Sequence, residues 1–482
     1  MSTNLLTRVS SALEDADLAR RHGRVSNVIG LIVEATGVHA EVGEVCLVAN
    51  DRTGVPVSAE VVGFRDGRTL LMPLGELQGI GPGTKVLPTG APFRVPVGSS
   101  LLGRVIDGLG TPLDGSAAPL QVSFRSTLAP PPGSLQRPLI EERVALGVRA
   151  LDSLIPCGRG QRLGIFAGSG VGKSSLLGMI ARSTSASVNV IALVGERGRE
   201  VREFVQRDLG DALERSVVVV ATSDQPALVR IKAAFTATTI AEHFRDEGKD
   251  VLLLMDSLTR FATAQRELGL AIGEPPATRG YTPSVFALLP RLLERAGTSP
   301  AGSITGLYTV LVDGDDMNEP IADAARSILD GHVVLSRALA HAGHYPAIDV
   351  LQSVSRLVNE IVPPELVHAG QRLRSAMASL AEKQDLISVG AYRAGADPQL
   401  DAALAHRAQI DAFLRQAVDE RSAPADSDAQ LLALAAALES TREEQTGEVL
   451  DGEVIAGRAD AADDDPFEPS GPPAIPLLGP SL

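Results

Sequence analysis

The chain has 482 residues, 44% of them hydrophobic, and a net charge of −15, a length that predicts two or three domains around at least one large core. No apolar run reaches the roughly 18 residues of a membrane helix, and no signal-peptide core is present, so neither a membrane-spanning nor a secreted protein is expected. Tryptophan is absent and aromatics make up 3%, which argues against base-stacking surfaces for nucleic acid, while Cys46 and Cys157 lie far apart without metal-ligand spacing and suit a reducing cytosol.

Leu5, Leu6, Val9, Leu13 and Ala16 recur at three- and four-residue spacing, which predicts an amphipathic helix over residues 3–20 (segment 1–22) that packs on its own chain or docks on a partner. Residues 23–95 change to short β-rich runs, at 28–33, 44–48, 58–64 and 69–73, broken by Gly, Asn and Asp. Such spacing predicts a small β-barrel or sandwich. From 96 to 363, helical patterns alternate with β-branched runs at 162–167, 188–194, 216–221, 251–255 and 308–312, the signature of a mostly parallel sheet flanked by helices. Residues 364–423 read as all-helical. After Pro424 a short helix at 428–438 leads into an acidic segment, 424–482, expected to be disordered. Between Glu439 and Leu482 eleven acidic residues face two arginines, so nine of the fifteen net negative charges sit there.

The most informative stretch is 164–177, GIFAGSGVGKSSLL: an apolar strand, a glycine-rich turn and a helix start. Glycines let the backbone wrap a phosphate chain, and the turn's N–H groups then point at the oxygens. Gly168, Ser169, Gly170, Val171, Gly172, Lys173, Ser174 and Ser175 are the candidate ATP-binding residues, with Lys173 on the β- and γ-phosphates and Ser174 on Mg²⁺. Ala167 stands where the motif has its first glycine. Hydrolysis needs more groups. The apolar run 251–255 ends at Asp256, placed to support the metal or simply to cap the next helix. Glu196, in the turn GERGRE after a second apolar run, can polarise water, although such a charged turn also reads as a solvated loop.

The segment YPAIDVLQSVSR at 345–356 resembles the signature of the rotary ATP synthase α/β ATPases, and the phosphate loop, the GER turn and the strand ending in Asp256 occur in that family's order. GERGREVREF, AIGEPPATRGYTPSVFALLPRLLERAG and GSITGLYTVLVDGDDMNEP carry the likeness on, over about 23–421, and lean it toward the flagellum-specific type III protein export ATPases. The resemblance implies a β-barrel, a central RecA-like P-loop domain and a helical C-terminal domain. It also implies roles: Lys173 and Ser174 for phosphates and Mg²⁺, Glu196 for activating water, Arg197 for phosphate contact, Asp256 for the metal, Tyr345 for stacking on adenine, and Arg356 as an arginine finger supplied to a neighbouring subunit.

As partners the resemblance implies a homohexameric ring, a regulator of the export ATPase at the N-terminal helix, a central stalk protein, an export gate, and export substrates with their chaperones. The place is cytoplasmic, peripheral at the inner face of the cell membrane. An injectisome ATPase and a synthase catalytic subunit are the alternatives within the family. A hexameric helicase is disfavoured by the acidic, aromatic-poor composition, and a ring that only scaffolds is disfavoured by intact Lys173, Glu196 and Arg356.

Overall fold

The computed structural model describes residues 22–312, 314 and 316–459; the expected N-terminal helix, the loop residues Asp313 and Asp315, and the acidic residues beyond 459 lie outside the described residues. The first unit is a closed barrel of β1 (Gly23–Ile29), β2 (Ile32–Thr36), β3 (Glu44–Val48), β4 (Val57–Arg65), β5 (Arg68–Pro73) and β6 (Lys85–Pro92), in the order β1-β2-β5-β4-β3-β6. Alternate residues turn inward, so Val25, Val33, Ala35, Cys46, Val48, Ala59, Val61, Leu71 and Val86 form its core. Residues 28–33, which read as one strand, are instead a hairpin: β1 and β2 pair antiparallel around Gly30, whose φ of +57° supplies the left-handed step of a tight turn.

Charged groups tie the barrel to the central unit. Glu60 on β4 pairs with buried Lys232, and the Arg65 guanidinium donates to the Ile272 carbonyl at 2.6 Å.

The central unit is a nine-stranded sheet. Its longer strands are β7 (Arg104–Asp107), β8 (Arg162–Ala167), β9 (Val188–Glu196), β10 (Ser216–Thr222), β11 (Asp250–Asp256), β12 (Ser303–Leu311), β13 (Gly331–Leu335) and β14 (Ile348–Ser355). They lie in the order β14-β13-β8-β12-β11-β9-β10-β7, with the two-residue strand Gly297–Thr298 paired on β12. All run parallel except β14 and that short strand. A parallel sheet is covered on both faces, which is why β9, β11 and β12 are near-continuous apolar runs. On the faces lie α1 (Lys173–Ser183), α2 (Gly198–Glu203), α3 (Ala227–Asp246) and α4 (Leu258–Ala271).

The C-terminal unit contains α5 (Pro364–Glu382), α6 (Pro398–Ala405), α7 (Arg407–Leu414) and α8 (Pro424–Ala459). One expectation holds and is extended here, and one segment departs from the helical reading. The helix expected at 428–438 is present, with Leu431, Leu434, Ala435 and Leu438 at helical spacing and buried in the core that also holds Leu373 of α5 and Ala402 of α6; it runs from 424 to 459, so residues 439–459 are helical where disorder was expected. Residues 415–423 leave the helix, because Gln416 is used elsewhere: its side chain accepts from Arg149 N and donates to Gly147 O, and its backbone N–H donates to Tyr345 O at 3.1 Å.

Candidate functional site

The site forms where β8, β9 and β11 end. After β8 the chain turns through Gly170 and Gly172, at φ +79° and +88°, conformations that a side chain would strain, and enters α1 at Lys173. Ala167, the departure from the usual motif, is fully buried as the last residue of β8 and leaves the turn itself intact.

β11 delivers Asp256, 4% exposed, and β9 delivers Glu196. The β9–β10 register shifts between Val194 and Glu196, with Gly195 at φ +74°; this bulge re-aims Glu196 at the end of its strand.

These two carboxylates converge on one ammonium. Lys173 Nζ lies 2.5 Å from Asp256 Oδ1 and 3.6 Å from Glu196 Oε1, with all three side chains no more than 16% exposed. Burial pulls the Lys173 ammonium down, but the two carboxylates outweigh it and hold its pKa above the ordinary value. Burial first, and then the Asp256 charge, push Glu196 up to about 7, with Lys173 opposing. A carboxylate poised there is matched to taking a proton from water near neutral pH.

The remaining candidate residues fall differently. Tyr345, 45% exposed, lies against the phosphate loop: a Cβ on Gly172 would meet its ring at 3.4 Å. Ser174 and Ser175 follow Lys173 in the first turn of α1. Arg197 is not part of the cluster; its side chain is 75% exposed and pairs with Glu200 at 3.5 Å. Nor is Arg356, which is exposed and donates to the Arg326 carbonyl at 3.0 Å. It follows β14, whose Ser355 pairs with Gly331 at the start of antiparallel β13, so it stands at the sheet edge opposite to Lys173.

The oxygen donors present, one buried carboxylate at Asp256 and a hydroxyl at Ser174, fit an ion that is shared with nucleotide phosphates and keeps much of its water, as Mg²⁺ does. Among the described residues no group of three His, Cys, Asp or Glu could hold a metal alone.

Two residues at the site had not been expected from the sequence. Thr309 on β12, fully buried, donates its hydroxyl to Asp256 Oδ1 at 2.7 Å. Arg260 on α4 packs its methylene stem beneath Gly195, where a Cβ would meet it at 2.8 Å. A polar residue inside the apolar run of β12, and a basic one in the first turn after Asp256, were the available signals.

Residues 147–355 match the model of the ATP synthase alpha/beta family nucleotide-binding domain, 25–90 that of the family's beta-barrel domain, and 362–433 that of the T3SS EscN ATPase C-terminal domain. The chain is 54% identical over 424 residues to the flagellum-specific ATP synthase of Bacillus subtilis (strain 168), covering 88% of this chain and 97% of that one. It is 51% identical over 420 residues to the type 3 secretion system ATPase of Xanthomonas euvesicatoria, covering 87% and 95%. The solved structure of the assembled ATPase EscN from the enteropathogenic E. coli type III secretion system superposes with a TM-score of 0.82 at 46% identity, over 86% of this chain and 100% of that one.

Proposed function

The chain belongs to the ATP synthase alpha/beta family, and from that premise we propose that it is the ATP-hydrolysing component of a flagellar type III protein export apparatus, coupling turnover to the unfolding or release of export substrates. The observation that carries this reading is the convergence of Lys173, Glu196 and Asp256 at neighbouring strand ends beside a phosphate loop.

The backbone N–H groups of residues 168–175 cradle the phosphates of ATP, and Lys173 leaves its carboxylates to reach the β- and γ-phosphoryl oxygens. Tyr345 stacks on the adenine. Glu196 orients the attacking water and takes up its proton. Ser174 and Asp256 hold Mg²⁺, which when bound neutralises charge on the phosphoryl oxygens. Arg197 reaches phosphate by giving up its pair with Glu200.

Arg356 stands at the far sheet edge from its own Lys173, and this supports its service as an arginine finger to a neighbouring copy. A chain with a site on one edge and a finger on another assembles head to tail, and the contact closes by rotation into a ring, which we take to be a homohexamer. The EscN ATPase has been solved in complex with its central stalk EscO; we assign this chain a central stalk partner as well, with a regulator of the ATPase at residues 3–20, an export gate and export substrates with their chaperones. Among the described residues no helix is long and apolar enough to cross a membrane; we assign the chain to the cytoplasm, held at the inner membrane face by that apparatus.

ATPase activity measured against protein concentration tests the shared site. Specific activity rises sigmoidally in the native protein and is lost in Arg356→Ala; a flat specific activity with an unimpaired variant overturns it. The match of residues 362–433 to the EscN C-terminal domain favours, as the second reading, an injectisome ATPase. Deletion of the gene separates the two: loss of motility supports the first, loss of effector secretion with intact motility the second.

A further inference from the structure

We propose that Thr309 is a positioning residue for Asp256, holding its carboxylate in the orientation that serves binding of the metal–nucleotide complex. The inference rests on the assignment of Asp256 to the metal site.

Parallel β11 and β12 pair Met255 with Tyr308, so the next residues along, Asp256 and Thr309, stand side by side. The Thr309 hydroxyl has two acceptors in reach, Asp256 Oδ1 at 2.7 Å and the Met255 carbonyl at 3.4 Å. With a single proton to give, it serves the nearer and charged one, because a hydrogen bond to a carboxylate is the stronger. Packing does not demand this hydroxyl. Thr309 is fully buried between Tyr308 and Val310, where valine has the same shape, and a buried hydroxyl is costly unless it is bonded.

Oδ1 of Asp256 also receives the Lys173 ammonium. Once Lys173 turns to phosphate, Thr309 is the donor that stays on that oxygen, and the other oxygen remains free of both. Thr259 reinforces the arrangement from α4: its hydroxyl accepts the Leu311 N–H at 2.9 Å, stitching the end of β12 to the helix after Asp256. The carboxylate is thus held by a strand-borne hydroxyl that does not depend on the lysine.

The test compares the native protein, Thr309→Val and Thr309→Ser in titrations of a fluorescent ADP analogue, with Mg²⁺ varied and with EDTA. Thr309→Val raises the Mg²⁺ concentration for half-maximal tight binding about tenfold, the size of a lost hydrogen bond to a charged group. It leaves the affinity in EDTA unchanged, and Thr309→Ser restores the native Mg²⁺ response within about twofold. Thr309→Val with a native Mg²⁺ response overturns the proposal, as does equal weakening with and without Mg²⁺, which marks a packing role. If Thr309→Val does not fold, Thr309→Ala takes its place beside Thr309→Ser, the two differing only in the hydroxyl: a roughly tenfold shift in the alanine variant with a native response in the serine variant upholds the proposal, and equal responses overturn it. A native protein whose nucleotide binding ignores Mg²⁺ sinks the assignment of Asp256 itself, a result separable from any difference between variants.

Discussion

The Lys173 ammonium and the Asp256 carboxylate lie 2.5 Å apart, joining the phosphate loop to a strand two places away in the sheet. The lysine is therefore the charge compensation that this aspartate and Glu196 share in the cluster. Lys173→Ala lowers ATP turnover about a hundredfold or more, the scale of losing one preorganised group at a developing negative charge. Steady-state hydrolysis checks this, with circular dichroism to show that the fold persists; a variant with more than about a tenth of native activity contradicts it.

Glu196 faces Lys173 from α1, Asp256 from β11 and Glu200 from α2, and its pKa is pushed up to about 7. Below that pH it carries a proton and cannot accept another from water. The kcat/KM for ATP accordingly falls as pH drops below about 7, approaching tenfold per unit, and levels off above it. Glu196→Gln removes that acid limb and costs roughly 10²–10⁴ in rate. A native profile flat from about pH 5.5 to 8 would refute the assignment.

Arg295, 1% exposed, pairs through two nitrogens with Glu242 on α3, at 2.8 and 2.5 Å, and donates to the Thr127 carbonyl at 2.7 Å. Arg295→Met strands a buried carboxylate and destabilises by about 3–5 kcal/mol. The double variant Arg295→Met/Glu242→Leu loses less, since no charge is left unpaired. Denaturant unfolding of the three proteins measures the difference, and equal losses in both variants would show that the pair is not the cause.

Leu431 on α8 is fully buried in the large core on the α1 side of the sheet. Leu431→Ala costs about 2–5 kcal/mol. A loss below about 0.5 kcal/mol in the same unfolding measurement would mean that the helix does not dock in solution.

Lys173, Glu196 and Asp256 were legible in the sequence because each follows an apolar run that a parallel sheet must bury, and a strand end is where such a sheet presents chemistry. Gly30 was not: an apolar residue on either side of a glycine looks the same whether the chain runs straight or reverses, and only pairing with Thr36 through Ile32 decides. Leu431, Leu434, Ala435 and Leu438 announced the start of the last helix by their spacing, whereas residues 439–459 misled through composition: an acidic run follows those periodic apolar residues, yet the helix continues. Thr309 and Arg149 depend on partners far along the chain; Arg149 gathers the carbonyls of Phe413 and Arg415, contacts that no local pattern announces. Arg197 shows the opposite limit, a motif residue whose side chain is turned to Glu200 instead of the cluster.

The lysine held between two carboxylates makes the pocket an ion-exchange site. An arriving nucleotide that draws the ammonium onto its own phosphates uncovers a pair of negative charges behind it. It must then bring replacement positive charge or suffer both its own repulsion and theirs. Discrimination for the cation-loaded nucleotide over the bare one is in this sense written into the charges of the pocket itself.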